Sequence, residues 1–131
     1  MPTLPWTKID DNDHEAVVMA SRFTLRTWRH VLPFFLDAMR IHRQVRRADG
    51  AYGVSLEAHP LRREFLTLSS WRDDAAIQAL VRAEPHRSVM RKYRSATKEA
   101  TFRFWSAAEP PTWAEAKRRL AEEPAAEESE S

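Results

Sequence analysis

The sequence predicts an α+β domain of the ferredoxin-like type, a split β-α-β-β-α-β arrangement with a short C-terminal helix. Three observations carry this reading: four β-rich runs with alternating apolar residues, amphipathic segments after the first and third of them, and turn signals at the junctions. The chain has 131 residues, 43% of them hydrophobic, with five Trp and six Phe, which is enough apolar matter for one core.

Residues 1–14 hold two prolines and the cluster DDNDH, and they read as an extended arm. The domain proper is expected over residues 15–121. From Ala16 to Leu25 the run AVVMASRFTL puts Val17, Met19, Ser21, Phe23 and Leu25 on one strand face and Val18 and Ala20 on the other. Both faces are mostly apolar, which predicts cover on both sides. Trp28, Val31, Leu32, Phe35, Met39, His42 and Val45 recur at steps of three or four and define the stripe of a first helix. Thr27 is its expected N-cap and Gly50 its stop, with Pro33 placing the regular part after an irregular turn.

Tyr52 to Ala58 alternates as a second strand, HPLR at 59–62 is a turn, and EFLTLSSW at 64–71 is the third strand. Arg72 to Ala83 has Asp73 or Asp74 near its start and core spacing at Ala76, Ile77, Leu80 and Val81, and Pro85 interrupts it. A second helical piece runs from His86 to Arg94, and the last strand lies within 97–107. Thr112 with Glu115 three residues on opens the terminal helix. Residues 122–131 are acidic and poor in apolar residues, which predicts disorder. A sheet of this kind covers one face with its two helices. Its other face, apolar on the first and third strands, predicts a second copy as cover, and hence a homodimer.

The formal charge is +2, but five acids lie in the last ten residues, leaving 21 basic against 14 acidic side chains over residues 1–121. Seventeen of the 21 are Arg, which suits phosphate contacts or simply a GC-rich coding bias. The basic stretches are not interleaved with aromatics as a nucleic-acid platform would be, so no nucleic acid is expected. There is no cysteine, which excludes disulfides, thiolate nucleophiles and thiolate metal sites. No long apolar run and an acidic, proline-broken start predict no membrane partner and a cytoplasmic protein. The five histidines show no paired spacing for a metal, and neither a nucleophile elbow nor a phosphate-cradling loop is present.

The segment FLTLSSWRDDAAIQALVRAEPHRSVMRKYRSATKEATFRFW, residues 65–105, resembles the signature half of the antibiotic biosynthesis monooxygenase-like superfamily: a strand ending in Trp71, an acidic helix start, then a Pro-His-Arg element. SRFTL at 21–25 and GVSL at 53–56 fit its first half. The ending FWSAAEPPTWAEAKRRL is similar to a bacterial branch without assigned activity. The resemblance implies a dimeric α+β barrel with a pocket in each subunit between sheet and helices. It also implies a small hydrophobic or aromatic ligand, polyketide- or quinol-like, and cofactor-free oxygenation as the enzymatic possibility. The alternative is a non-catalytic ligand-binding or assembly protein.

The candidate catalytic residues are His86, an imidazole able to deprotonate a phenol, and Trp71, whose indole suits an aromatic ring. Each also has a structural reading, His86 as a fastener of the Pro85 helix break and Trp71 as a core residue. Ser21, Phe23, Phe35, Met39, Thr67, Ser69, Met90 and Tyr93 are the candidate substrate-binding residues. Heme-degrading relatives imply an Asn where Ser21 stands and an iron-ligating His near Met90. Heme held by a shifted His86 is therefore the remaining cofactor option, and no cofactor is the expectation.

Overall fold

The computed structural model describes residues 3–9 and 15–122. Its elements are β1 (Thr3–Lys8), β2 (Ala16–Leu25), α1 (Val31–Arg46), β3 (Ala51–His59), β4 (Glu64–Trp71), α2 (Asp74–Arg82), α3 (His86–Lys92), β5 (Thr97–Ala107) and α4 (Trp113–Ala121). The strands form one antiparallel sheet in the order β1-β3-β4-β2-β5. Without β1, this is the ferredoxin-like order with two β-α-β crossovers, as the element pattern predicts. No helix among the described residues is long and apolar enough to cross a membrane.

The stretch expected to be a plain extended arm contains an edge strand. β1 pairs antiparallel with β3, and Trp6 lies so close over Gly53 that a Cβ there would sit 2.1 Å from its ring. Pro5 is exposed on this strand, where a missing N–H costs least. The acidic segment 123–131 lies outside the described residues.

Residues of β2 alternate between two cores, as their pattern requires. Phe23 and Leu25 pack with Phe65 on β4, Phe34 on α1, and Val89 and Tyr93 at α3. Val18 and Ala20 pack with Leu66, Leu68 and Trp105 on the opposite face. That opposite face is not bare. Ala116 and Leu120 of α4 are buried against it, Trp113 donates its indole N–H to Ser55 Oγ at 3.0 Å, and Lys117 Nζ stands 2.8 Å from Glu57 Oε2. Its remainder is polar, with Arg22, Thr24 and Thr101 half-buried. The apolar cover that motivated a second copy is thus supplied by the chain itself.

Local signals set the helix ends. Asp73 accepts from the Ala76 amide at 2.9 Å and Thr112 from the Glu115 amide at 3.2 Å, the two N-caps that open α2 and α4. Gly50 follows α1 at φ +86, in the left-handed region, and a Cβ there would lie 2.7 Å from Ala76 Cβ.

The stripe of α1 departs from expectation. Trp28 occupies a 3-10 turn before the helix and, like Leu32, is exposed, while Phe34, Asp37, His42 and Val45 are the buried positions. The inward face is rotated because Asp37 belongs to it. This carboxylate is buried yet satisfied by Tyr93 Oη at 2.7 Å, Lys92 Nζ at 3.0 Å and Arg40 at 3.0 Å.

Candidate ligand-binding cavity

Between the sheet and helices α1, α2 and α3 lies a cavity of about 540 Å³. Its floor is the β2–β4 pair, whose odd-numbered residues Met19, Ser21, Thr67 and Ser69 face the helices. One end is aromatic: Phe34 packs against Phe65 at 4.7 Å and Phe23 at 5.8 Å between ring centroids. Phe102 meets Phe23 edge-on at 5.5 Å, and with Phe104 it lines the rim at the open β5 edge, where both rings are exposed. The other end carries His42 from α1 and His86 from the start of α3.

Besides Ser55, Gln78 and Arg94, the polar lining of this cavity falls into two sets. On the floor, the Ser21 and Thr67 hydroxyls hydrogen-bond one another, and Ser69 Oγ accepts from the Trp71 indole at 2.8 Å. At the helix end, His86 Nδ1 and His42 Nε2 are buried with no hydrogen-bond partner among the described residues. A buried polar atom without a partner costs on the order of 1–3 kcal/mol, so these two nitrogens are where an added group gains most.

The placement of His86 follows from the helix break. Its backbone N–H donates to Gln44 Oε1 at 3.0 Å, tying α3 to α1. Burial pushes its imidazole below the ordinary histidine pKa, and a hydrogen bond to the Val81 carbonyl, one of the free carbonyls ending α2, partly offsets this. Nδ1 itself meets no hydrogen-bond partner among the described residues. Burial also lowers the pKa of His42, and the positive charge of Arg46 adds to the effect. Both rings are therefore neutral at pH 7.

Of the residues singled out in the sequence, Ser21, Phe23, Thr67, Ser69, His86 and Met90 line the cavity together. Four do not. Trp71 is wholly buried outside the lining, packed with Val45, Ala76 and Ile77 under α2, and its indole N–H donates to Ser69 Oγ. Tyr93 turns its hydroxyl to Asp37, and burial together with that carboxylate pushes its pKa well above the ordinary value. Phe35 packs beside the aromatic core, and Met39 is half-buried away from the cavity, one helical step off the lining residues Ala38 and His42. Sequence reasoning missed His42, Phe34 and the rim pair Phe102 and Phe104. In the sequence His42 reads as one more core position of its stripe.

The positions that the heme-degrading relatives use carry other groups here. Ser21 is engaged with Thr67, and Met90 stands where the resemblance implies an iron-ligating His. A second concavity of about 640 Å³, between α1 and α2, is ringed by Arg40, Arg43, Arg47 and Arg72 over an alanine floor.

No family model matches the sequence, and no curated protein matches it. Solved structures do. PA3566 from Pseudomonas aeruginosa is 14% identical, with a TM-score of 0.66 over 76% of this chain and 100% of its own. SnoaB from Streptomyces nogalater, a cofactor-independent oxygenase, is 14% identical, with a TM-score of 0.55 over 72% of this chain and 94% of its own. An antibiotic biosynthesis monooxygenase gives a TM-score of 0.60 at 13% identity over 71% and 99% of the two chains. The chain spans 43% of the length of FN1347 from Fusobacterium nucleatum, another match. At such identities the likeness is one of fold alone, the α+β, ferredoxin-like fold that this chain shares with these structures.

Proposed function

We propose that the cavity binds a small, mostly apolar aromatic molecule bearing a hydroxyl, and that His86 accepts the hydroxyl proton so that O₂ can oxygenate the ring without a cofactor. The observation that carries this reading is His86 Nδ1, a neutral, buried and unpartnered acceptor at one end of an aromatic-walled cavity. The description of SnoaB as a cofactor-independent oxygenase supports the class of chemistry.

The proton moves from the ligand O–H to Nδ1, and the phenolate gives one electron to O₂. The resulting radical and superoxide combine to form a C–O bond, and the peroxide anion takes the proton back from Nδ1. The hydroperoxide then loses water to leave a ring carbonyl, so that a phenol and O₂ become a quinone and water. Aromatic walls hold the ring in place, and exclusion of water strengthens the hydrogen bond to His86. The homodimer implied by the resemblance enters through the open β5 edge, with Phe102 and Phe104 beside it, because α4 occupies the opposite sheet face.

The test is oxygen uptake with 1-naphthol, with naphthoquinone as product, for the wild type and His86→Ala. Uptake abolished by the substitution supports the reading. Equal uptake by both proteins removes His86 from the chemistry, and binding without uptake by the wild type makes the protein a ligand binder.

A further inference from the structure

The two unpartnered imidazole nitrogens come from different elements. His42 stands in the middle of α1 and His86 at the start of α3, and the Gln44–His86 hydrogen bond clamps those elements together two residues from His42. Both side chains line the same cavity, and His42 is only 9% exposed. The floor hydroxyls are already paired with one another or with Trp71. Among the described residues, the unpartnered polar atoms that burial leaves in this lining are therefore the two histidine nitrogens, both on the helix side.

We propose that His42 is a specificity-determining residue, and that with His86 it recognises one ligand carrying two oxygens on the same edge, a dihydroxy- or hydroxy-oxo-aromatic. This rests on the ligand site proposed above. The two rings ask for different things. His86 Nδ1, buried and unpartnered, is the proton acceptor proposed above, so the oxygen facing it carries a proton. His42 Nε2 accepts or donates according to its tautomer and so takes a hydroxyl or a carbonyl. A ligand with one oxygen leaves one of the two nitrogens unpaired in an apolar cavity, and a site built for hydrogen bonds rejects such analogues strongly.

Equilibrium dialysis under argon, with naphthalene, 1-naphthol, and 1,3- and 1,8-dihydroxynaphthalene as probes, tests this. The wild type should bind the better dihydroxynaphthalene at least about tenfold more tightly than 1-naphthol, as one buried hydrogen bond is worth. His42→Leu should erase that preference, and His86→Leu should weaken both naphthols. Should His42→Leu fail to fold, imidazole ¹⁵N resonances of the wild type give the answer: His42 Nε2 should shift with the dihydroxynaphthalene and not with 1-naphthol. A preference that persists in His42→Leu, a wild type without the preference, or an unmoved His42 resonance overturns the inference. If no probe binds the wild type, the cavity reading itself falls. If all bind alike, only the two-point recognition does.

Discussion

Tyr93→Phe separates a structural role from a ligand-binding one at a residue that the sequence placed in the pocket. The substitution removes one hydroxyl whose proton goes to Asp37 Oδ2 at 2.7 Å in a buried setting. A hydrogen bond to a charged group contributes about 1.5–3 kcal/mol. The remaining donors, Lys92 and Arg40, have side chains 61% and 58% exposed, so solvent screens them and they compensate little. The ring stays in place against Phe34, 5.0 Å between centroids, so almost no packing is lost. The expected loss is about 2 kcal/mol, or roughly 6–10 °C in Tm for a chain of this size. Urea unfolding followed by tryptophan fluorescence reads the first and calorimetry the second, while 1-naphthol affinity should stay within about twofold. A stability loss under about 0.5 kcal/mol, or a large loss of naphthol affinity at unchanged stability, would refute the assignment of Tyr93 to the Asp37 cluster.

Further outcomes follow from the same geometry. His42 and His86 have lowered folded pKa values, so the unfolded chain binds more protons below about pH 6.5, and stability should fall as pH drops from 7 towards 5; urea midpoints at each pH should show this slope flattened in the His42→Leu/His86→Leu double variant. Asp37 acts in a different window. Burial raises its pKa, but the hydrogen bonds from Tyr93, Lys92 and Arg40 outweigh this, so its contribution persists above about pH 4 and is lost as pH falls through its depressed value; Asp37→Asn should flatten the acid limb. Gly53→Ala forces the Trp6 ring from β3 and should cost about 1–3 kcal/mol, with a changed Trp emission as the second readout. Leu120→Ala leaves a hole between α4 and the sheet and should cost about 2–5 kcal/mol in urea unfolding.

The element order was legible because alternation and helical spacing reflect burial that the fold then provides, as in β2, where even and odd positions go to separate cores. β1 escaped notice because Pro5 and the acidic cluster break any periodicity, although an edge strand needs hydrogen bonds on one side only. On α1 the stripe was misplaced by about one position, since Asp37 counts as polar in a sequence and becomes a core residue only once Tyr93, Lys92 and Arg40 surround it. Trp71 shares the face of Thr67 and Ser69, as its parity demands, yet lies outside the lining under α2. Alternation fixes a face but not how far along it a cavity reaches. The significance of His42 was invisible for a related reason: spacing places an imidazole inward, and only packing shows that its nitrogen meets no partner.

In the proposed function a small aromatic ligand enters the cavity between the sheet and helices α1 and α3. Intermolecular NOEs between 1-naphthol and the labelled protein test this directly. Contacts from the naphthol ring to the Met90 methyl and to Ile41 and Phe34, all lining that space, are the predicted result. Contacts instead to Trp28, Leu32 and Leu61, which are apolar and exposed elsewhere on the surface, would contradict it.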